Sequence, residues 1–125
     1  MPYTITVDPL GHRVSFIATG TYSQAEAFQS IQDMVGHPDF RAGYDVLVDM
    51  TGVEDVPLWG EDIREKVDFD KGLLAVLGTG TWAFVAPTDL VYGLARMYQA
   101  LMDDTPVHLE IFRDLRTAQA WLDDR

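Results

Sequence analysis

Trp82-Ala83-Phe84-Val85-Ala86 is an uninterrupted apolar run, with Pro87 behind it and Gly78 and Gly80 in front. That run limits the available folds more than any other stretch. A strand with one wet face alternates; a strand buried on both faces does not. The run is short for a buried helix and is bounded by turn formers, so it predicts an interior strand of a mainly parallel sheet. Pro87 has no N–H to give a ladder and should end the strand. Thr88 or Asp89 is then placed to cap a helix, accepting from an orphan N–H of its first turn. Leu90, Leu94, Met97 and Leu101 recur at helical spacing, and Val91, Tyr98 and Met102 widen the stripe. Gly93 lies inside that helix, where it costs about 1 kcal/mol relative to Ala. Close approach of the backbone to the sheet would explain it. Tyr92, Arg96 and Gln99 or Asp103 fall on the opposite, wetter face.

The rest of the chain alternates around this unit. Tyr3, Ile5 and Val7 alternate with threonines, Asp8-Pro9-Leu10-Gly11 is turn chemistry, and Val14, Phe16 and Ala18 alternate again. This predicts an antiparallel hairpin. Ser23 and Glu26 have capping-box spacing before a helical face of Ala27, Phe28, Ile31, Met34 and Val35, which Gly36-His37-Pro38 stops. Tyr44 to Met50 contains Val46-Leu47-Val48, a second buried strand, and Thr51 to Leu58 reads as a loop. Over Gly60 to Leu77, Ile63, Val67 and Leu74 suit one helical face, with Gly72 dividing the span into two short helices. Val107, Leu109 and Ile111 alternate as a last strand at an edge. Asp114 caps a final helix with Leu115, Ala118, Trp121 and Leu122 inward. Asp123-Asp124-Arg125 should fray.

The predicted fold class is therefore α/β: one domain over 1–125, in the order β-β-α-β-α-β-α-β-α. It has a single mixed, mostly parallel five-stranded sheet with packed helices. At 125 residues one domain is expected, and a chain of this size buries a sufficient core without a staple. Alternation at both ends of the chain predicts that part of one sheet face is less covered. An apolar patch there would support a homodimer.

Composition excludes several function classes. The chain has no cysteine, hence no disulfide, thiol nucleophile or thiolate metal site. The stretch MPYTITVDPLG has neither the basic nor the apolar region of a signal peptide, so a cytoplasmic location is expected. No apolar run approaches the length of a membrane span. The net charge of −11, with nine basic residues scattered among twenty acidic ones, opposes binding to nucleic acid or anionic lipid. The three histidines, His12, His37 and His108, read as a turn, a helix stop and a wet strand face, so no metal site and no cofactor are expected. Gly78-Thr79-Gly80-Thr81 precedes a strand rather than a helix and is a tight connection, not a phosphate loop. No Gly-x-Ser-x-Gly motif occurs.

With the elements placed, several motifs together resemble a known family. They are Gly36-His37-Pro38-Asp39-Phe40, Val48-Asp49-Met50-Thr51-Gly52-Val53 and Val85-Ala86-Pro87-Thr88-Asp89. Tyr92-Gly93-Leu94-Ala95-Arg96-Met97-Tyr98, Ile111-Phe112-Arg113-Asp114 and Ala120-Trp121-Leu122 complete the set. The chain resembles the SpoIIAA-like, STAS-like family of small bacterial proteins, and the resemblance covers most of its length. It implies an STAS-like α/β fold. In the related anti-sigma-factor antagonists a serine near the start of the helix after the third strand is phosphorylated. The corresponding stretch here, Val56-Pro57-Leu58-Trp59-Gly60, has no hydroxyl, and Thr51 lies well upstream. A switch that adds charge at that helix N-terminus does not carry over.

In a largely parallel sheet, ligands favour the crevice beyond the carboxyl ends of the strands. Asp49, Trp59, Asp89 and Tyr92 are the candidate binding residues there. Arg96 joins them as a lone cation on the helix face, suited to an anionic ligand or a partner's carboxylate. Capping alone accounts for Ser23, Asp89 and Asp114, loop amides account for Asp49, and a surface pair with Asp89 or Asp103 accounts for Arg96. The functional expectation is a non-catalytic STAS-like module that binds a protein partner or itself through the Trp59 and Tyr92/Arg96 surface. The alternative is a domain that binds a small apolar or amphipathic molecule between the helices and the sheet. Catalysis ranks behind both, and no catalytic residue is assigned. A large enclosed apolar cavity would favour the alternative.

Overall fold

The computed structural model describes residues 3–124. Met1 and Pro2, which begin the stretch read for a signal, and Arg125, expected to fray, lie outside the described residues. The strands are β1 (Tyr3–Asp8), β2 (Arg13–Thr21), β3 (Asp45–Asp55), β4 (Thr81–Val85) and β5 (His108–Phe112). The helices are α1 (Gln24–Val35), α2 (Gly60–Lys71), α3 (Leu74–Leu77), α4 (Asp89–Leu101) and α5 (Leu115–Asp123). They form one five-stranded sheet in the order β1-β2-β3-β4-β5. β1 and β2 are antiparallel, and each later pair is parallel. The α/β class and the mostly parallel sheet match the sequence reading.

This strand order decides where the helices go. When successive parallel strands always add on the same side with the same crossover hand, every crossover lies on one face of the sheet. The crossovers hold α1 (β2 to β3), α2 and α3 (β3 to β4), and α4 (β4 to β5). That front face carries Val14, Phe16, Val46, Trp82 and Leu109, packed with Ile31, Met34, Ile63, Val67 and Tyr98 from the helices. The back face is left to the one helix among the described residues that is not a crossover. α5 seats Ala118 and Leu122 on Leu47, Ala83 and Val85. β4 is thus buried on both sides, as its unbroken apolar run requires.

α5 packs on β3, β4 and β5 and meets β2 at Arg13, which leaves the back face of β1 and most of β2 open. It presents Thr4, Thr6, Ser15, Ile17 and Thr19, and Ile17 is 43% exposed. The uncovered area is thus largely polar, not the apolar patch from which a homodimer was expected. Arg13 ties the corner where cover stops. Its Nη1 donates to Asp123 of α5 at 2.8 Å, and its Nη2 lies 3.9 Å from Asp45.

Two expectations are corrected. Thr51 to Leu58 is not a loop throughout: β3 continues to Asp55 along the long β2 strand. The extension follows a register shift between Ile17 and Thr19, beside which Gly52 lies so close that a Cβ would stand 3.0 Å from Thr19 Cγ2. On α4 the fully buried line is Val91, Ala95, Tyr98 and Met102, and Leu90 is 60% exposed. Small Ala95 lets the axis sit near the sheet, while Leu94, Met97 and Leu101 pack from the flank. A Cβ on Gly60 would meet Met97 Cε at 3.3 Å, which places that flank against the start of α2. Gly93 is exposed with nothing within 4 Å of a built Cβ, so close approach to the sheet is not its reason.

The caps are local sequence chemistry. Thr88 accepts from Val91 N–H, and Asp114 from Thr117 N–H at 2.8 Å. Glu26 accepts from Ser23 N–H at 3.0 Å, and Asp62 from Trp59 N–H at 2.8 Å. Each satisfies a donor that its helix leaves orphaned.

Candidate functional site

The predicted residues do not converge. Asp49 is buried on the back face of β3, where its Oδ1 accepts from Thr51 N–H and Oγ1–H at 2.9 and 2.6 Å. That is the loop-amide role. Trp59 is 79% exposed at the N-cap of α2. Asp89 and Tyr92 do meet, through a residue not predicted for the site. Arg113 donates to Asp89 Oδ1 at 3.0 Å and lies 4.2 Å from the centre of the Tyr92 ring. Arg96 is exposed one turn further along α4, and among the described residues it has no ion pair. The expected pairing with Asp89 or Asp103 is not made. The result is a solvated Asp89–Arg113–Tyr92 cluster, in which an exposed ion pair contributes little.

The interior holds a different constellation. Between the front of the sheet and α1, α2 and α4 lies a cavity of about 120 Å³. Its wall is apolar over most of its extent, with Ile31, Met50, Phe84, Val91 and Ala95 among its lining. None of the lining residues is exposed. The polar side chains that reach it come from three places: Tyr22, Gln24 and Ser30 at α1, Lys66 on α2, and Tyr98 on α4.

Lys66 is held by a carboxylate behind the wall. Asp70, one turn further along α2, has no exposed surface. Its oxygens lie 2.7 and 2.5 Å from Lys66 Nζ, and Tyr98 O–H donates to Oδ2 at 2.5 Å. The ammonium also stands 5.8 Å from the centre of the Tyr98 ring. A buried carboxylate is tolerable only when paired and hydrogen-bonded in this way. Burial lowers the pKa of the Lys66 ammonium below its ordinary value, with Asp70 opposing. Burial, reinforced by the Asp70 charge and hydrogen bond, raises the Tyr98 phenol well above its ordinary value. Tyr22 is raised as well, chiefly by burial, with Asp70 among the charges acting on it. Tyr22 O–H and Ser30 Oγ are 3.1 Å apart, and Ser30 Oγ–H donates to Ala27 C=O at 3.0 Å. Gln24 Nε2 donates to Asp62 C=O on α2 at 2.9 Å, while its Oε1 is buried with no hydrogen-bond partner.

Sequence reasoning passed over Lys66, Asp70 and Gln24, yet a signal was there. Ile63, Val67 and Asp70 stand at i, i+4 and i+7, so the apolar stripe of α2 runs into a carboxylate with a lysine four residues before it. An acid in the register of a core face announces a buried partner. Among the described residues no group of His, Asp or Glu is arranged to hold a metal ion, and no helix is long and apolar enough to cross a membrane.

Among solved structures the chain is similar to an uncharacterised protein of the DUF3478 family from Shewanella loihica PV-4, which has a SpoIIAA-like fold. The superposition has a TM-score of 0.56 at 18% identity and covers 96% of this chain and 91% of that one. The fold is SpoIIAA-like. The likeness confirms the architecture that the motifs implied. No protein-family model and no curated protein matches the chain.

Proposed function

We propose that this SpoIIAA-like chain is a non-catalytic binding module whose ligand is a small, mainly apolar molecule, held between the sheet and the front helices. The observation that carries this reading is the cavity itself: about 120 Å³ lined by buried and half-buried side chains, with one ammonium as its only full charge among the described residues. Protein interiors are close-packed, and an apolar void of roughly 150 Å³ is enough to bind benzene. The cavity is of that order, and its apolar wall makes burial of a matching ligand favourable.

The test is titration of the folded protein with benzene and toluene, followed by methyl NMR. Expected are saturable shifts at Ile31, Val48 and Leu94, which Ala95→Leu abolishes by filling the space. Shifts absent at ligand saturation, or unaffected by Ala95→Leu, would sink the reading.

A second reading keeps a specific observation. Trp59 is 79% and Leu90 60% exposed, at the N-terminal ends of α2 and α4. They favour a protein partner on the surface that includes Tyr92 and Arg96. Arg96→Ala that leaves capture of such a partner unchanged removes Arg96 from it.

A further inference from the structure

Resting on the cavity reading above, we infer that the ligand carries one uncharged hydroxyl, as a benzene-sized alcohol or phenol does, and that Lys66 and Gln24 receive it. The argument begins with charge. Lys66 and Asp70 sum to zero wherever their shared proton resides, and among the described residues no other full charge lines the cavity. A carboxylate ligand would add an uncompensated buried charge, and an ammonium ligand would face Lys66; both are costly to desolvate. The head is therefore neutral.

Hydrogen-bond capacity then narrows the class. An ammonium has three N–H donors. The contacts of Lys66 Nζ to the protein both go to Asp70, which is not part of the cavity wall, whereas Lys66 is. One donor is left for the cavity. Gln24 supplies the complement. The Asp62 carbonyl fixes which end of its amide donates, so Oε1 is the free acceptor, buried and unpartnered. Gln24 and Lys66 both line the cavity, and the Gln24 amide is anchored on the carbonyl of Asp62, one turn before Lys66 on α2, so one small head group is placed to meet both. A buried acceptor without a partner is destabilising, and a ligand that satisfies it gains the difference. A hydrocarbon leaves both groups bare. A ketone or ether accepts from Lys66 and leaves Gln24 bare. A hydroxyl accepts from one and donates to the other.

The experiment compares Kd values for phenol, toluene and benzoate, with cyclohexanol against cyclohexanone as a second matched pair, on the whole chain. Phenol is expected to bind about ten-fold or more tighter than toluene, cyclohexanol tighter than cyclohexanone, and benzoate weakest. Gln24→Met, which keeps the length and removes the acceptor, should shrink the phenol preference by about five-fold or more while leaving toluene unchanged. The paired change Lys66→Met/Asp70→Leu, which leaves no orphaned charge, should likewise shrink the preference, and adding Gln24→Met to it should erase what remains. Equal affinity for phenol and toluene overturns the hydroxyl inference and leaves the apolar cavity reading standing. So does cyclohexanone binding as tightly as cyclohexanol. Benzoate binding best overturns the neutral head. Binding of none of the five overturns the cavity reading beneath it.

Discussion

Asp70 is a carboxylate with no exposed surface, bonded to one ammonium and one phenol. Its energetics are asymmetric. Removing one partner of a buried pair strands the other, whereas removing both removes the desolvation penalty as well. Lys66→Met should therefore lower stability by about 3–5 kcal/mol, and Lys66→Met/Asp70→Leu by much less. Urea unfolding of both variants decides this; a double variant no more stable than the single one would contradict it. The phenols make a second residue-level prediction. Tyr3, packed against Phe16 and hydrogen-bonded to Asp33, is raised from 10.0 to about 12, first by burial. Tyr98 is raised as well. A folded pKa above the unfolded one means that the folded state binds more protons in between. Their contribution is complete below pH 10 and is lost as pH rises through the folded values. Phenolate absorbance of the folded protein should lag that of the urea-unfolded chain above pH 10, with stability falling over the same range. Coincident titration curves would refute it. Residue type alone does not reveal a side chain's partners. Tyr92 and Asp89 meet only because Arg113, 21 and 24 residues away, comes between them.

Elements were legible to the extent that their signals are local. The unbroken Trp82–Ala86 run, the alternation of β1, β2 and β5, and the capping residues Ser23, Thr88 and Asp114 all depend on neighbours within a few residues. The extension of β3 to Asp55 was not legible, because its partner is the far end of β2 and its entry needs the close approach at Gly52. The rotation of α4 was not legible either: two adjacent apolar lines run along it, and only the sheet decides which is innermost. That outcome bears on Gly93. With nothing within 4 Å of a built Cβ, Gly93→Ala should stabilise the protein by about 1 kcal/mol in thermal melts. A loss of stability would mean that the helix face is covered in solution. Gly78 behaves in the opposite way. Its φ is +75, and a Cβ would stand 2.7 Å from Gly43 N, so Gly78→Ala should destabilise by more than about 1 kcal/mol. At the outer edge, Gln99 Nε2 donates to the Leu109 carbonyl at 2.8 Å, which occupies an edge-strand group that another strand would otherwise use.

For the whole molecule, a net charge of −11 on 125 residues is self-repelling in the compact state. Few surface pairs offset it: Arg13–Asp123, Lys71–Asp104 and Arg113–Asp89 are solvent-accessible contacts that contribute little, so screening them costs little. Raising salt from about 0.05 to about 0.5 M should therefore raise the melting temperature by calorimetry. A fall would place the dominant electrostatics in attractive pairs instead. The order of the sheet has a further consequence, for the chain as it is being made. Because each strand lies beside its predecessor, the sheet can be laid down one strand at a time during translation, with no gap awaiting a later insertion. The front is roofed as it grows, since each crossover helix precedes the strand it serves. The back is not. Leu47, Ala83 and Val85 stay bare until Ala118 and Leu122 have been synthesised. The growing sheet thus carries a bare apolar strip until α5 follows β5, and α5 is what shields it from other chains.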